Sequence, residues 1–161
     1  MGPDQLEALY REHATELVQF ATVLVGPDDA ADIVAEAMVK VLTRPPAGAI
    51  ASPRAWLHKI VLNTARDRRR GDWRRRRREQ RAFLAALPGR RTPVAAGEPP
   101  GDPAVLEALA ALSPRQRAAA FLTYWGDLDP ATVADVLGTS PGSVHQHLAR
   151  ARAHLREALD A

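Results

Sequence analysis

Ten of the chain's 20 arginines lie between residues 66 and 81, in RDRRRGDWRRRRREQR, against only Asp67, Asp72 and Glu79. Such a block focuses positive potential and would release counterions from a polyanion. The rest is nearly balanced: residues 1–65 carry −3 and residues 82–161 carry −1, within an overall +3. A second set with usable chemistry is Ser140, Ser143, His145, Gln146 and Arg150, in SPGSVHQHLARARAHL. No acid stands between Gly138 and Arg156. A Gln amide can hold adenine bidentately and an Arg guanidinium can hold guanine, each worth about 1–3 kcal/mol of discrimination. Catalytic patterns are missing: there is no HExxH, Gly-rich phosphate loop or supported Ser-His-Asp arrangement. With no Cys there is no disulfide, thiolate zinc site or Cys nucleophile. The five histidines are scattered; His13 sits on an apolar face and reads as core, while His145, His147 and His154 share a helix without ligands beside them. No metal, no cofactor and no enzymatic activity are expected.

The elements that must carry these residues are helices. Leu6, Leu9, Tyr10, His13, Leu17, Phe20 and Leu24 recur at three- and four-residue steps, an amphipathic helix that Gly26-Pro27 ends. A second helix follows, with Asp28 or Asp29 available as N-cap and Ala30, Ile33, Val34, Ala37, Met38, Val41 and Leu42 on one face. Asp32, Glu36 and Lys40 step along its opposite face as a polar stripe. Arg44-Pro45-Pro46 stops it, and Ser52-Pro53 opens a third helix whose buried stripe is Trp56, Leu57, Ile60, Val61 and Thr64. That helix runs into the arginine block, where Gly71 costs about 1 kcal/mol of helix propensity.

Residues 88–103, PGRRTPVAAGEPPGDP, hold five Pro and three Gly, which no helix or strand survives. They read as a flexible linker. Beyond it come a short helix (Val105, Leu106, Leu109, Leu112), a helix opened by Ser113-Pro114 with Ala118, Phe121, Leu122 and Trp125 inward, and a third opened by Asp129-Pro130. Val133, Ala134 and Leu137 face inward, Gly138 turns the chain at a position Gly takes without steric penalty, and Ser140-Pro141 starts the next helix. Val144, Leu148, Ala151 and Leu155 fall within about 60° on its wheel. A dry face opposite a cation-bearing, acid-free face, after a three-residue turn, is a helix-turn-helix suited to the major groove. The histidines there would make phosphate affinity follow pH.

The fold class expected is all-α: two small helical domains joined by a flexible linker, residues 1–87 and 104–161 around 88–103, the second a helix-turn-helix. Thirty-one alanines and 5% aromatics favour helices. The 20:2 ratio of Arg to Lys fits a GC-rich genome as well as any function. No apolar run approaches the roughly 18 residues of a membrane span, so a cytoplasmic protein without membrane insertion is expected.

Three segments, in order, carry a family resemblance. DAADIVAEAMVKVL is similar to the second helix of sigma region 2. SPRAWLHKIVLNTARDRRR is similar to its promoter-reading helix, with PRAWL and NTARD as its signature. LSPRQRAAAFLTYWGDLDPATVADVLGTSPGSVHQHLARARAHLREAL is similar to region 4 throughout. The chain thus resembles bacterial RNA polymerase sigma factors of the extracytoplasmic-function type, in the sigma-70 family, over about 140 residues. The resemblance implies a subunit that binds core RNA polymerase through the β′ coiled coil and the β flap. It would direct promoter-specific initiation at −35 and −10 elements, under an anti-sigma factor or other regulator. It assigns polymerase docking to Asp29, Asp32 and Glu36, and −10 strand contacts to exposed members of Arg54, Trp56, His58, Lys59, Asn63, Arg66, Arg69 and Arg70. Residues 44–52 would form the pocket for a flipped base, and Arg68, Arg69, Arg70 and Arg74–Arg78 would hold phosphates without reading sequence. Ser140, Ser143, His145, Gln146 and Arg150 would read the −35 groove. Two departures stand out: Ala35 where relatives often carry Gln, and Met38 where an aromatic is usual. Trp56 is ambiguous, since its spacing with Ile60 points to the core. Two other readings stay open: a stand-alone helix-turn-helix regulator, which would bind duplex DNA without polymerase, and a sigma-like decoy that kept the fold and lost promoter activity.

Overall fold

The computed structural model describes residues 2–68, 79, 82 and 102–160. Among them are seven α-helices and no strand: α1 (Pro3–Val25), α2 (Pro27–Thr43), α3 (Pro53–Arg68), α4 (Pro103–Ala110), α5 (Pro114–Tyr124), α6 (Pro130–Leu137) and α7 (Pro141–Asp160). All seven open on proline, whose fixed φ suits the first turn and whose missing N–H costs nothing there. Side-chain caps complete several starts. Ser113 and Gln116 form a reciprocal capping box, Asp129 accepts from the Ala131 and Thr132 amides, and Ser140 Oγ accepts from Ser143 N at 3.2 Å. The second helix starts earlier than the aspartates suggest. Gly26, at φ +88°, ends α1 and begins α2 at once, so Asp28 and Asp29 lie in the first turn rather than at the cap. There they face the positive end of the helix dipole.

α1 packs on α2 and α3; α7 packs on α4, α5 and α6. These two modules do not hang apart. Their buried residues form one continuous apolar cluster that runs from Leu6 to Ala151. At the seam α1 meets α4 and α5, and α3 meets α6. Phe20 stands at the centre, its ring 5.1 Å from the buried His58 ring in its own module and 5.2 Å from Phe121 of the other.

The double packing explains why α3 departs from a one-sided helix. Leu57, Val61 and Thr64 of the expected stripe are buried, but so are Ala55, His58, Leu62 and Ala65. Trp56 and Ile60 are only partly covered. Elements on more than one side leave α3 little free surface. His13 is half-buried, 3.9 Å from Glu16, rather than a full core residue. Trp125 lies at the end of α5 with 42% of its surface exposed, stacked on Phe121.

Candidate nucleic-acid interface

The turn between α6 and α7 is closed by backbone geometry that only a few residues permit. Gly138 adopts φ +64°, ψ +44°; its amide donates to Asp135 O, and Thr139 N donates to Ala134 O at 2.9 Å. Those two bonds satisfy the last carbonyls of α6 in a Schellman motif. They aim the chain so that Ser140 caps α7. Val144, Leu148 and Ala151 bury one face of α7. Ser140, His145, Gln146 and Arg150 are exposed and Ser143 is partly so; Ser140 Oγ and Ser143 Oγ lie 3.0 Å apart. The five residues that the sequence marks for base and phosphate contact therefore lie on one open surface. His147 differs from its neighbour. It is half-covered, its Nδ1 is buried without a protein partner, and desolvation together with Arg115 and Arg150 lowers its pKa below the ordinary histidine range. That shift favours the uncharged imidazole of His147.

The α3 residues are arranged otherwise. Asn63 is exposed and lines a cleft of about 730 Å³ between α2 and α3, with Val39, Lys40, Thr43, Arg44, Ile60 and Thr64 around it. Lys40 ties the cleft walls together, donating to Thr64 Oγ1 at 3.2 Å and Asp67 Oδ2 at 3.1 Å. Arg54 is not free: Nε donates to Glu16 Oε2 at 2.9 Å, and Nη2 donates to Glu16 Oε1 at 2.6 Å and to Gly126 O at 2.7 Å. Lys59 pairs with Asp135 at 3.4 Å, and Arg66 Nη2 donates to Leu137 O at 3.5 Å. His58 is fully buried. Arg69, Arg70 and Arg74–Arg78 lie outside the described residues.

The acidic set on α2 is split in the same way. Glu36 is 5% exposed, with Lys40 at 3.4 Å, so the expected polar stripe does not face solvent at this point. Asp29 is bridged by Arg68 at 2.5 Å and Asp32 is partly exposed. Periodicity failed at Glu36 because a carboxylate paired one turn away with a lysine can be buried where a lone one cannot.

Glu16 was not singled out by its sequence. It lies between Arg54 and His58, whose Nε2 is 3.3 Å away but outside hydrogen-bond geometry. Burial opposes its ionisation, yet the adjacent imidazole and guanidinium outweigh that and hold its pKa at about 2. Arg117 was missed as well. Its Nη1 donates to Val23 O at 3.1 Å and Leu24 O at 3.3 Å, supplying a cation to an α1 last turn that has none of its own. The bare C-terminus of α1 was the one available signal.

Comparison with known proteins decides the family. The model "Sigma-70 region 2" matches residues 9–75 and "Sigma-70, region 4" matches residues 103–155. The chain is 32% identical over 146 residues to the ECF RNA polymerase sigma factor SigL of Mycobacterium tuberculosis, covering 89% of this chain and 82% of that one. The chain belongs to the ECF sigma factors. It is also 29% identical over 160 residues to the RNA polymerase sigma-E factor of Streptomyces antibioticus, covering 97% and 85%. In fold it is similar to the sigma factor RpoE from Bartonella quintana, solved with the anti-sigma factor NepR, at TM-score 0.69 and 22% identity over 98% of both chains. As an ECF sigma factor it directs promoter-specific transcription initiation, and binding to core RNA polymerase is implied by the family. Among the described residues no helix is long and apolar enough to cross a membrane, and no cluster of three metal-ligating side chains occurs.

Proposed function

We propose that α7 is the −35 reader of this sigma factor and α3 its −10 strand reader, within modules spanning residues 1–87 and 104–161 around a linker at 88–103. The observation that carries the reading is the exposed, acid-free face of α7 set by the Gly138 turn. Ser140 and Ser143 suit phosphates, His145 and Gln146 suit base edges or phosphates, and Arg150 suits guanine or a phosphate. Within holoenzyme, Gln146→Ala and Arg150→Ala should each weaken binding to a cognate promoter duplex by about 1–3 kcal/mol. Filter binding reads this, and a loss below about threefold for both would remove α7 from base readout.

Asn63 at the mouth of the α2–α3 cleft supports strand contact there, with Arg54, Trp56, Lys59, Arg66, Arg69 and Arg70 alongside. A flipped base would enter beside residues 44–52, its unstacking cost offset by the cleft. The arginine block would hold phosphates. The protein has no catalysis of its own on this reading, acts in the cytoplasm, and is held in check by an anti-sigma factor. The fold it shares with a sigma factor bound to one supports that last point.

Polymerase docking is assigned to the α2 acids, with Asp29 and Asp32 at the surface and Glu36 shaping the helix from beneath. Gel filtration with core RNA polymerase tests the whole reading. The wild type should co-elute, and an Asp29→Arg/Asp32→Arg variant that melts like the wild type should not. Absence of wild-type co-elution would favour the stand-alone regulator or the decoy.

A further inference from the structure

We infer that Lys40 is a positioning residue for base capture: through Thr64 and Asp67 it pins α3 to the end of α2, so that Asn63 meets a captured base in one fixed orientation. This rests on the strand-reading role given to α3 above. Lys40 stands in the last turn of α2. Its Nζ donates to Thr64 Oγ1 at 3.2 Å and to Asp67 Oδ2 at 3.1 Å, and Glu36 Oε1 lies 3.4 Å away. An ammonium has three N–H donors, and three acceptors from two helices surround this one. Lys40 is therefore committed to the protein rather than to a phosphate. Thr64 follows Asn63 directly and Asp67 lies about one turn beyond it, so the grip falls on α3 immediately beside the amide.

The charges of the cleft say what kind of group it takes. Lys40 and Arg44 are matched there by Asp67 and Glu79, while Val39, Val41 and Ile60 supply apolar wall. A flat, uncharged base suits such a lining and a phosphate does not. A carboxylate beside a strand repels its phosphates, so Asp67 is a cost to DNA binding unless it has another task. Anchoring Lys40 is that task. Asn63 carries a donor and an acceptor side by side, able to read a base edge, and such bonds weaken steeply when misaligned. The Lys40–Asp67 pair is partly exposed and adds little to stability. Its effect is on geometry.

The test uses holoenzyme with short single strands and short duplexes of randomised sequence, each pool sequenced before and after capture and corrected for core polymerase alone. The wild type should enrich one base at one strand position at least about fivefold, the low end of what a bidentate base contact gives. Asn63→Ala should cut that preference below about twofold, and Asp67→Ala should do so at the same position, with melting temperature and the enriched duplex motif unchanged. Asp67→Ala leaves Lys40 beside Glu36, whereas removing Lys40 would strand a buried carboxylate. If helicity falls, Thr64→Val, of the same shape, cuts the tie in its place. Electrostatics alone predicts the opposite sign: without the acid, capture would tighten for all sequences alike and the base preference would stay. That result would overturn the positioning role, as would a preference lost with Asn63→Ala but kept with Asp67→Ala. A wild-type preference that Asn63→Ala does not move would instead overturn strand reading at this cleft, and this inference with it.

Discussion

Phe20→Ala should destabilise the protein by about 3–5 kcal/mol, the range for truncating a buried aromatic ring. The ring is fully buried and packs on both His58 and Phe121, so the cavity opens where the two modules join. Urea unfolding followed by circular dichroism measures it. Phe20→Leu, which keeps most of the volume, should cost far less, about 1.5 kcal/mol or below. A loss under about 1 kcal/mol for the alanine variant would mean that the seam relaxes around the gap and that the shared core is not a structural necessity. The same variant should also unlink the modules, so that the unfolding of one no longer coincides with that of the other.

Glu16→Gln should flatten the acid limb of the stability profile. The native carboxyl has its pKa held at about 2, against an ordinary value of 4.5. The unfolded chain therefore binds a proton before the folded one does. The stabilisation is complete above roughly pH 5 and disappears as pH falls through the interval to 2. Allowing for the solvent that reaches this site, the contribution is on the order of 1–2 kcal/mol. Thermal melts of wild type and variant at pH 7 and pH 3 separate the two proteins: they should differ most at pH 7, and the gap should narrow by about half or more at pH 3, where the native carboxyl is still largely ionised. A constant difference across that range would assign the effect to packing rather than to the charge. Arg54 gives the result a further use. The glutamine leaves the guanidinium one neutral acceptor oxygen beside the Gly126 carbonyl, so the variant also reports how far the bidentate, charged Glu16 pair orients the arginine that crosses the seam.

Local features were legible in the chain because local physics fixes them. The starts at Pro53, Pro114, Pro130 and Pro141, the Ser113, Asp129 and Ser140 caps and the left-handed Gly138 are each decided within about four residues. The dry face of α7 follows from period alone, and with it the exposure of Gln146 and Arg150. The family could be named from three segments because region 2 and region 4 signatures are themselves local strings. Glu36 and Arg54 were not legible in the same way. Whether a carboxylate on a helix faces water or is buried beside a lysine depends on what packs over it, and a guanidinium that binds residues 38 and 72 positions away leaves no periodic trace.

The sequence by itself determined that this chain is helical, where the helices at Pro53, Pro114, Pro130 and Pro141 begin, where the chain turns before α7, and which family it joins. Tertiary structure alone decided which of the marked side chains remain available. Amphipathic periodicity says that a face will be covered but not by which element. The covering of α3 by α6, the burial of Glu36 and the cap that Arg117 lends to α1 all come from pairings between distant segments, whose energies are set by the closed packing of two modules on Phe20 and Phe121.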